Sequence, residues 1–411
     1  MELECAVQNY DWGKKGMASS VAQLIKSSSP ELNIEQDKPY AELWMGTHVN
    51  GPSFIKGTKE SLADYITKDS NSHVLGDKVK EVFGNTLPFL FKVLSIDKAL
   101  SIQAHPAKAH AEELHQLFPS VYKDPNHKPE LAIALTPFQG LCGFRPVQEI
   151  RFHLNSIPEL VALCDQTAVD DFLNCQGNPQ IHLKKCFKSL LTFATTDGNS
   201  GIVAQQLINF LNRLSQMDND NREKLNGNLF ERLHQDFPGD IGCFGIYFFN
   251  YINLNPGEAL YLGPNVPHAY LYGDCVECMA CSDNVVRAGL TPKLKDVPTL
   301  IEMLSYQSQS YNKFEPKKID EFSEVFQPPI KDFAVAKIQI PGSKSYKFVP
   351  VNSPSIVIII QGSVKIFDKV HKRGSVLFTP ANSELAVTNL EEEKSLIFQA
   401  FANVNNLPII N

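Results

Sequence analysis

The spacing of apolar residues changes twice along the chain, and this restricts the fold more than any single motif does. Up to residue 146 the apolar runs are short and broken by Gly, Pro and Asn. Leu87 to Leu94 reads as a buried strand, and Tyr40 to His48 as a strand followed by a turn at Asn50 to Ser53. Ser61 to Phe83 predicts a short helix and loops, and Pro106 to Phe118 a helix with Pro106 in its first turn. From 147 to 236 the period becomes helical. Ile150, Leu154, Leu160 and Leu163 recur at near-helical intervals, and Val203, Leu207, Leu211 and Leu214 do so more clearly. Ser200 is the expected cap of that second helix, and Asp218 to Asn221 an expected loop. After Gly242 the strand pattern returns in Gly245 to Leu254 and Gly257 to Leu262. It continues to the end apart from a helix at Val297 to Tyr306. This order predicts a mainly β chain carrying an inserted α-helical domain.

A short repeat divides the β part further. Pro256 to Pro264 and Arg373 to Pro380 each contain a Gly turn, an apolar strand and a following Pro. That rhythm is the one found in jelly-roll barrels of the cupin type. The first copy runs into His268, whereas the second meets no histidine, so two barrels are expected and one holds a metal. The expected boundaries are 1–146 with 237–310 for the metal-holding barrel, 147–236 for the helical insertion, and 311–411 for the second barrel. A length of 411 residues accommodates such a division.

Ser101-Ile102-Gln103-Ala104-His105-Pro106 carries the chemistry. On a strand Gln103 and His105 share a face, because side chains alternate. Glu130, in His127-Lys128-Pro129-Glu130, and His268, in Gly263 to His268, complete a set of two imidazoles, one carboxylate and one neutral oxygen. That set suits Zn²⁺, and two histidines with a carboxylate suit Fe²⁺ as well. His48, His73, His153, His182 and His371 have no supporting pattern. Cys275, Cys278 and Cys281 sit on a predicted strand that turns the first two to opposite faces, so they read as buried thiols. Asp283, Arg287 and Lys293 lie in a Gly/Pro-containing loop suited to anion binding and proton transfer.

These residues fall in segments that closely resemble type I phosphomannose isomerase. The segments are S-I-Q-A-H-P at 101–106, N-H-K-P-E at 126–130, G-L-C-G-F-R-P at 140–146, G-P-N-V-P-H-A-Y at 263–270 and S-D-N-V-V-R-A-G-L-T-P-K at 282–293. V-Q-N-Y-D-W-G-K at 7–14 and A-E-L-W-M-G-T-H at 41–48 belong to the same likeness. The resemblance implies one Zn²⁺ held by Gln103, His105, Glu130 and His268. It also implies interconversion of mannose 6-phosphate and fructose 6-phosphate, supplying mannose 6-phosphate for GDP-mannose synthesis. Proton transfer through a cis-enediol(ate) needs an acid/base and a nearby positive charge. Arg287 is the candidate for the charge, and Asp283 and Lys128 for the proton, with Glu277 and Tyr270 in reserve. Ser101, Lys92 and Lys293 are candidates for gripping the phosphate.

A non-haem iron cupin oxygenase and a non-catalytic sugar-binding cupin are the competing readings. Gln103 weighs against the first by filling a position such enzymes leave open, and the Lys128, Asp283 and Arg287 set weighs against the second. The net charge of -7 gives no reason to expect nucleic acid or a membrane surface as partner. The N-terminus shows no signal-peptide pattern and no apolar run is long enough to span a bilayer. Nine cysteines without a disulfide framework fit a reducing, cytoplasmic setting. No coiled-coil heptad is visible, and a monomer acting on a small sugar phosphate is expected.

Overall fold

The structure, a computed structural model, describes residues 1–71, 73–404 and 407. Its first barrel is built around one long strand, His268–Ala280. The C-terminal part of that strand pairs antiparallel with Phe89–Ile96 on one side and Glu130–Ala134 on the other. The same sheet extends through Glu42–Met45 and Ala6–Gln8 at one edge and Ala259–Leu262 at the other. The N-terminal part pairs instead with Phe138–Phe144 and, through His268 and Gln103, with Ile102–Ala104. Its pairing with Phe138–Phe144 shifts register between Tyr270 and Tyr272, and the partner strands change from Gly273 on, which turns it from one wall into the next. Gly273 follows with φ +113°, and a Cβ there would lie 2.5 Å from the Pro137 carbonyl oxygen. Only glycine fits that corner.

Phe89–Ile96 is buried along its whole length. Leu90, Lys92 and Leu94 face the interior of the barrel. Phe89, Phe91 and Val93 pack outward against Phe326, Val335, Ile356 and Phe378 of the C-terminal sheet. A strand covered on both faces shows no alternation, which explains the continuous apolar run. The C-terminal barrel has an eight-stranded sheet and a four-stranded one. Its interior is filled by Ile338, Val357, Ile359, Val364, Val387 and Ile397. Glu2–Glu4 pairs with Val376–Leu377 in that sheet, so the chain's first strand joins the sheet formed mostly by its last hundred residues.

The helical insertion shares one apolar core with the base of the first barrel. Phe187, Phe210, Phe230 and Phe244 pack with Leu141, Phe144, Phe249 and Leu271. Each fully buried Phe contributes about 1.5–3 kcal/mol, which anchors the insertion to the barrel. The fold class is the one expected, a β framework with an inserted helical domain.

Local expectations fail in four places. Gly245 to Phe248 does not begin a strand. Ile241–Tyr247 is a buried 3-10 turn, and the strand starts at Phe249. All seven residues of that turn are buried, so the run had no alternation to read. Asp218 to Asn221 is not a loop, because Asp218 caps a helix, Asn219–Lys224, by accepting from the Asn221 N–H. Ser200 is the first residue of its helix, preceded by Asn199 without a side-chain cap. Pro106 lies before the helix Lys108–Leu117, not in its first turn. Among the described residues no helix is long and apolar enough to cross a membrane.

Candidate active site and metal centre

His105 follows the strand Ile102–Ala104, Glu130 opens Glu130–Ala134, and His268 opens the long strand with which both of those strands pair. The three are buried, with ligand atoms within 4.8 Å of one another. Glu130 divides its oxygens between the histidines: Oε1 is 3.4 Å from His105 Nε2 and Oε2 is 3.3 Å from His268 Nε2. Each ring is fixed from behind by a backbone carbonyl. His105 Nδ1 is 2.7 Å from the Asn284 oxygen and His268 Nδ1 is 2.9 Å from the Val266 oxygen. A carbonyl only accepts, so Nδ1 carries the proton in both rings and Nε2 presents its lone pair. Burial pulls His105 down to about 4 against the opposing pull of Glu130, which keeps that ring neutral at pH 7.

Both Nε2 atoms and Glu130 Oε2 are buried without a hydrogen-bond partner. Three orphaned donor atoms facing one point are costly unless a cation sits among them. Imidazole nitrogens 3.3–3.4 Å from carboxylate oxygens, with no proton between them, are too far apart to hydrogen-bond well and close enough to share a cation. The donor set therefore fits a divalent metal. Burial pushes the Glu130 carboxyl up, but its surroundings, with the Lys128 ammonium 3.5 Å away, outweigh that and hold it well below the usual carboxylate range.

The other predicted residues converge on the same place. A cavity of about 640 Å³ is lined by Gln103, Glu130, Lys128, Ser101, Lys92, Tyr270, Glu277, Asp283, Arg287 and Lys293. Gln103 lies across the sheet from His268 on one side and from Arg287 on the other, and its Oε1 accepts from Ser101 Oγ at 3.1 Å. Lys128 Nζ is 3.5 Å from Glu130 Oε1, although Lys128 lies in the loop before the strand that Glu130 opens. Among the described residues no hydrogen bond or ion pair engages the Arg287 guanidinium, so its five donors remain available to a ligand. Lys293 is exposed at the rim. Asp283 stands at the mouth, where His48 Nε2, 3.4 Å away, holds its carboxyl below the usual range.

Lys92, a candidate for gripping the phosphate, lines the cavity with its ammonium 3.2 Å from Glu277 and 3.5 Å from Glu42 in the floor. It also sits over the Trp44 ring. Burial opposes its charge, yet Glu42, Glu277 and Glu130 outweigh that and hold it protonated far above the ordinary lysine range. Glu277 takes a second hydrogen bond from the Tyr270 hydroxyl at 2.8 Å. Burial nevertheless raises the Glu277 carboxyl.

Sequence reasoning missed Glu42, Trp44 and His48, all of which line the cavity. Glu42 and Trp44 alternate on one face of an otherwise apolar strand, and that was the available signal. The three cysteines form no cluster. Cys275 packs in the barrel interior and Cys278 in the core between barrels, on opposite faces as expected.

Comparison with known proteins agrees with this geometry. The catalytic-domain model of type I phosphomannose isomerase matches residues 1–147, its helical insertion model residues 163–249, and its C-terminal model residues 323–367. The chain is 48% identical to mannose-6-phosphate isomerase of Macaca fascicularis, covering 97% of both chains. It is 42% identical to mannose-6-phosphate isomerase 2 of Arabidopsis thaliana, over 94% of this chain and 90% of that one. A mutant phosphomannose isomerase from Salmonella typhimurium superposes with a TM-score of 0.82 at 32% identity, covering 98% of both chains. A mannose 6-phosphate isomerase solved with zinc and yttrium superposes with a TM-score of 0.81 at 31% identity, again over 98% of each.

Proposed function

The chain belongs to the type I phosphomannose isomerase family, and we propose that it interconverts mannose 6-phosphate and fructose 6-phosphate with one Zn²⁺ held by Gln103, His105, Glu130 and His268. The observation that carries this reading is the opening of the His105–Glu130–His268 cluster, through Glu130, onto a cavity also lined by Lys128, Gln103 and Arg287. The relatives named for this activity support the substrate. The reaction would supply mannose 6-phosphate for GDP-mannose, and nine free cysteines support a reducing, cytoplasmic setting.

When bound, the metal supplies positive charge that polarises a substrate oxygen. The chain's own groups supply the rest. Arg287 has a free guanidinium in a partly desolvated position, where it stabilises negative charge developing on the substrate oxygens. Lys128 is held beside Glu130 and reaches the cavity as a candidate for moving the proton between C1 and C2. Asp283, at the mouth and partly exposed, is the second candidate. Lys293 and Ser101 lie where a phosphate enters. Lys92, Glu42, Glu277 and Tyr270 form a hydrogen-bonded floor that orients the sugar and excludes water. Proton transfer through an enediol predicts that fructose 6-phosphate incubated with the protein in D₂O yields mannose 6-phosphate partly deuterated at C2, read by NMR. Isomerisation with no solvent deuterium at any conversion would contradict a proton that exchanges with solvent, leaving a shielded base or hydride transfer as the route.

A further inference from the structure

We propose that Asp240, at the exit of the helical insertion, is a positioning residue that sets the loop Leu290–Lys293 to hold the phosphate of the substrate. The proposal rests on the isomerase reading above. Asp240 does not line the cavity. Its carboxylate is nonetheless fully used by the loop that does. Oδ1 accepts from the Gly242 N–H at 2.7 Å and from the Leu290 N–H at 2.8 Å. Oδ2 accepts from Lys295 Nζ at 2.8 Å and from the Thr291 N–H at 3.4 Å. One side chain therefore ties the end of the insertion to both ends of the segment Leu290–Lys295.

The segment needs such a tie. Leu290 has φ +53°, a left-handed conformation that costs a residue with a Cβ and persists only when its surroundings impose it. The two backbones are in direct contact. A Cβ on Gly242 would lie 2.5 Å from the Leu290 nitrogen, and one on Gly289 would lie 2.7 Å from the Gly242 Cα. Leu290, Thr291, Pro292 and Lys293 all line the cavity, as do Asp236 and Phe237 from the insertion side. Arg287, in contrast, is held by pairing with Gln103 inside the sheet. Loosening Asp240 should move the rim and leave Arg287 and the metal ligands in place.

The geometry thus points to a split between kinetic constants. Asp240→Ala removes charge-assisted hydrogen bonds, so KM for mannose 6-phosphate should rise on the order of tenfold, with kcat changed less than about threefold. Inhibition by inorganic phosphate should weaken in parallel, while metal content stays unchanged. Asp240→Asn keeps one acceptor for Gly242 and Leu290 and should recover most of the KM. Lys295→Met cuts the same tie from the other side without touching the insertion, and should raise KM in the same direction even if Asp240→Ala does not fold. Amide hydrogen exchange over residues 288–296 should accelerate in both variants. Unchanged KM and unchanged exchange would overturn the proposal, as would kcat, KM and metal content failing together. Absence of turnover in the unmutated protein would refute the isomerase reading alone. The exchange comparison, with and without inorganic phosphate, then decides whether Asp240 sets the loop.

Discussion

Replacing Lys92 with Met tests the floor of the cavity. The substitution keeps a long, unbranched side chain and removes the charge between Glu277 at 3.2 Å and Glu42 at 3.5 Å. At an effective dielectric constant of about 20, Coulomb's law gives about 5 kcal/mol of attraction for each pair. Desolvation of three buried ions offsets most of that sum. What remains on removing one partner is the cost of stranding buried carboxylates, about 3–5 kcal/mol. Part of it is relieved by protonation, and this fixes the pH dependence. The Glu277 carboxyl is raised in the folded protein, and without Lys92 it rises further. A group raised on folding contributes stability that is present below its unfolded value, near 4.3, and is lost as pH climbs. The variant should therefore be closest to the parent near pH 5 and fall furthest behind near pH 8. Urea denaturation of metal-loaded protein at the two pH values, followed by fluorescence, reads the difference. A loss below about 1 kcal/mol, or a loss that does not grow with pH, would show that the cluster is not ionised as described.

Three further outcomes follow from other contacts. Arg287→Ala should lower turnover by about 10²–10³-fold, the cost of losing a group aimed at developing charge, with metal content by atomic absorption unchanged; near-normal turnover would remove it from the mechanism. Asp332→Asn should weaken the pair between His127 and the C-terminal barrel, where both carboxylate oxygens lie 3.1 Å from His127 Nε2, and lower kcat/KM by about tenfold through Lys128; steady-state kinetics with no change would leave that contact purely structural. Gly273→Ala, forced into φ +113° against a carbonyl oxygen, should destabilise by about 3 kcal/mol or more, and a melting temperature equal to the parent's would contradict the assigned corner.

The residues that can be found from the sequence are those whose chemistry is carried by side chains in a regular pattern. Gln103 and His105 announced themselves by alternation, and Lys128 with Glu130 by the same spacing. The β–α–β order was visible because the apolar period changed. Other parts left weak traces or none. The carbonyls of Asn284 and Val266 fix the histidine tautomers, and any residue supplies a carbonyl. Lys92 is expected to grip the phosphate, and its context also points to buried partners. A single lysine inside an eight-residue buried strand needs buried partners, and Glu42, two strands from Glu277, is one of them. Gly245 to Tyr247 reads as strand because burial on all sides erases the period that separates strand from helix. Asp240 gave no signal, since its role depends on which loop the insertion returns to.

In the proposed function the buried cluster holds the metal on which isomerisation depends. Protein stripped by chelator dialysis should lose conversion of mannose 6-phosphate to fructose 6-phosphate. Adding Zn²⁺ in steps should restore it, with the rise ending at one equivalent per chain, and the His268→Ala protein should not recover over the same range. Full activity in the metal-free protein, or recovery in His268→Ala equal to that of the parent, would contradict the account.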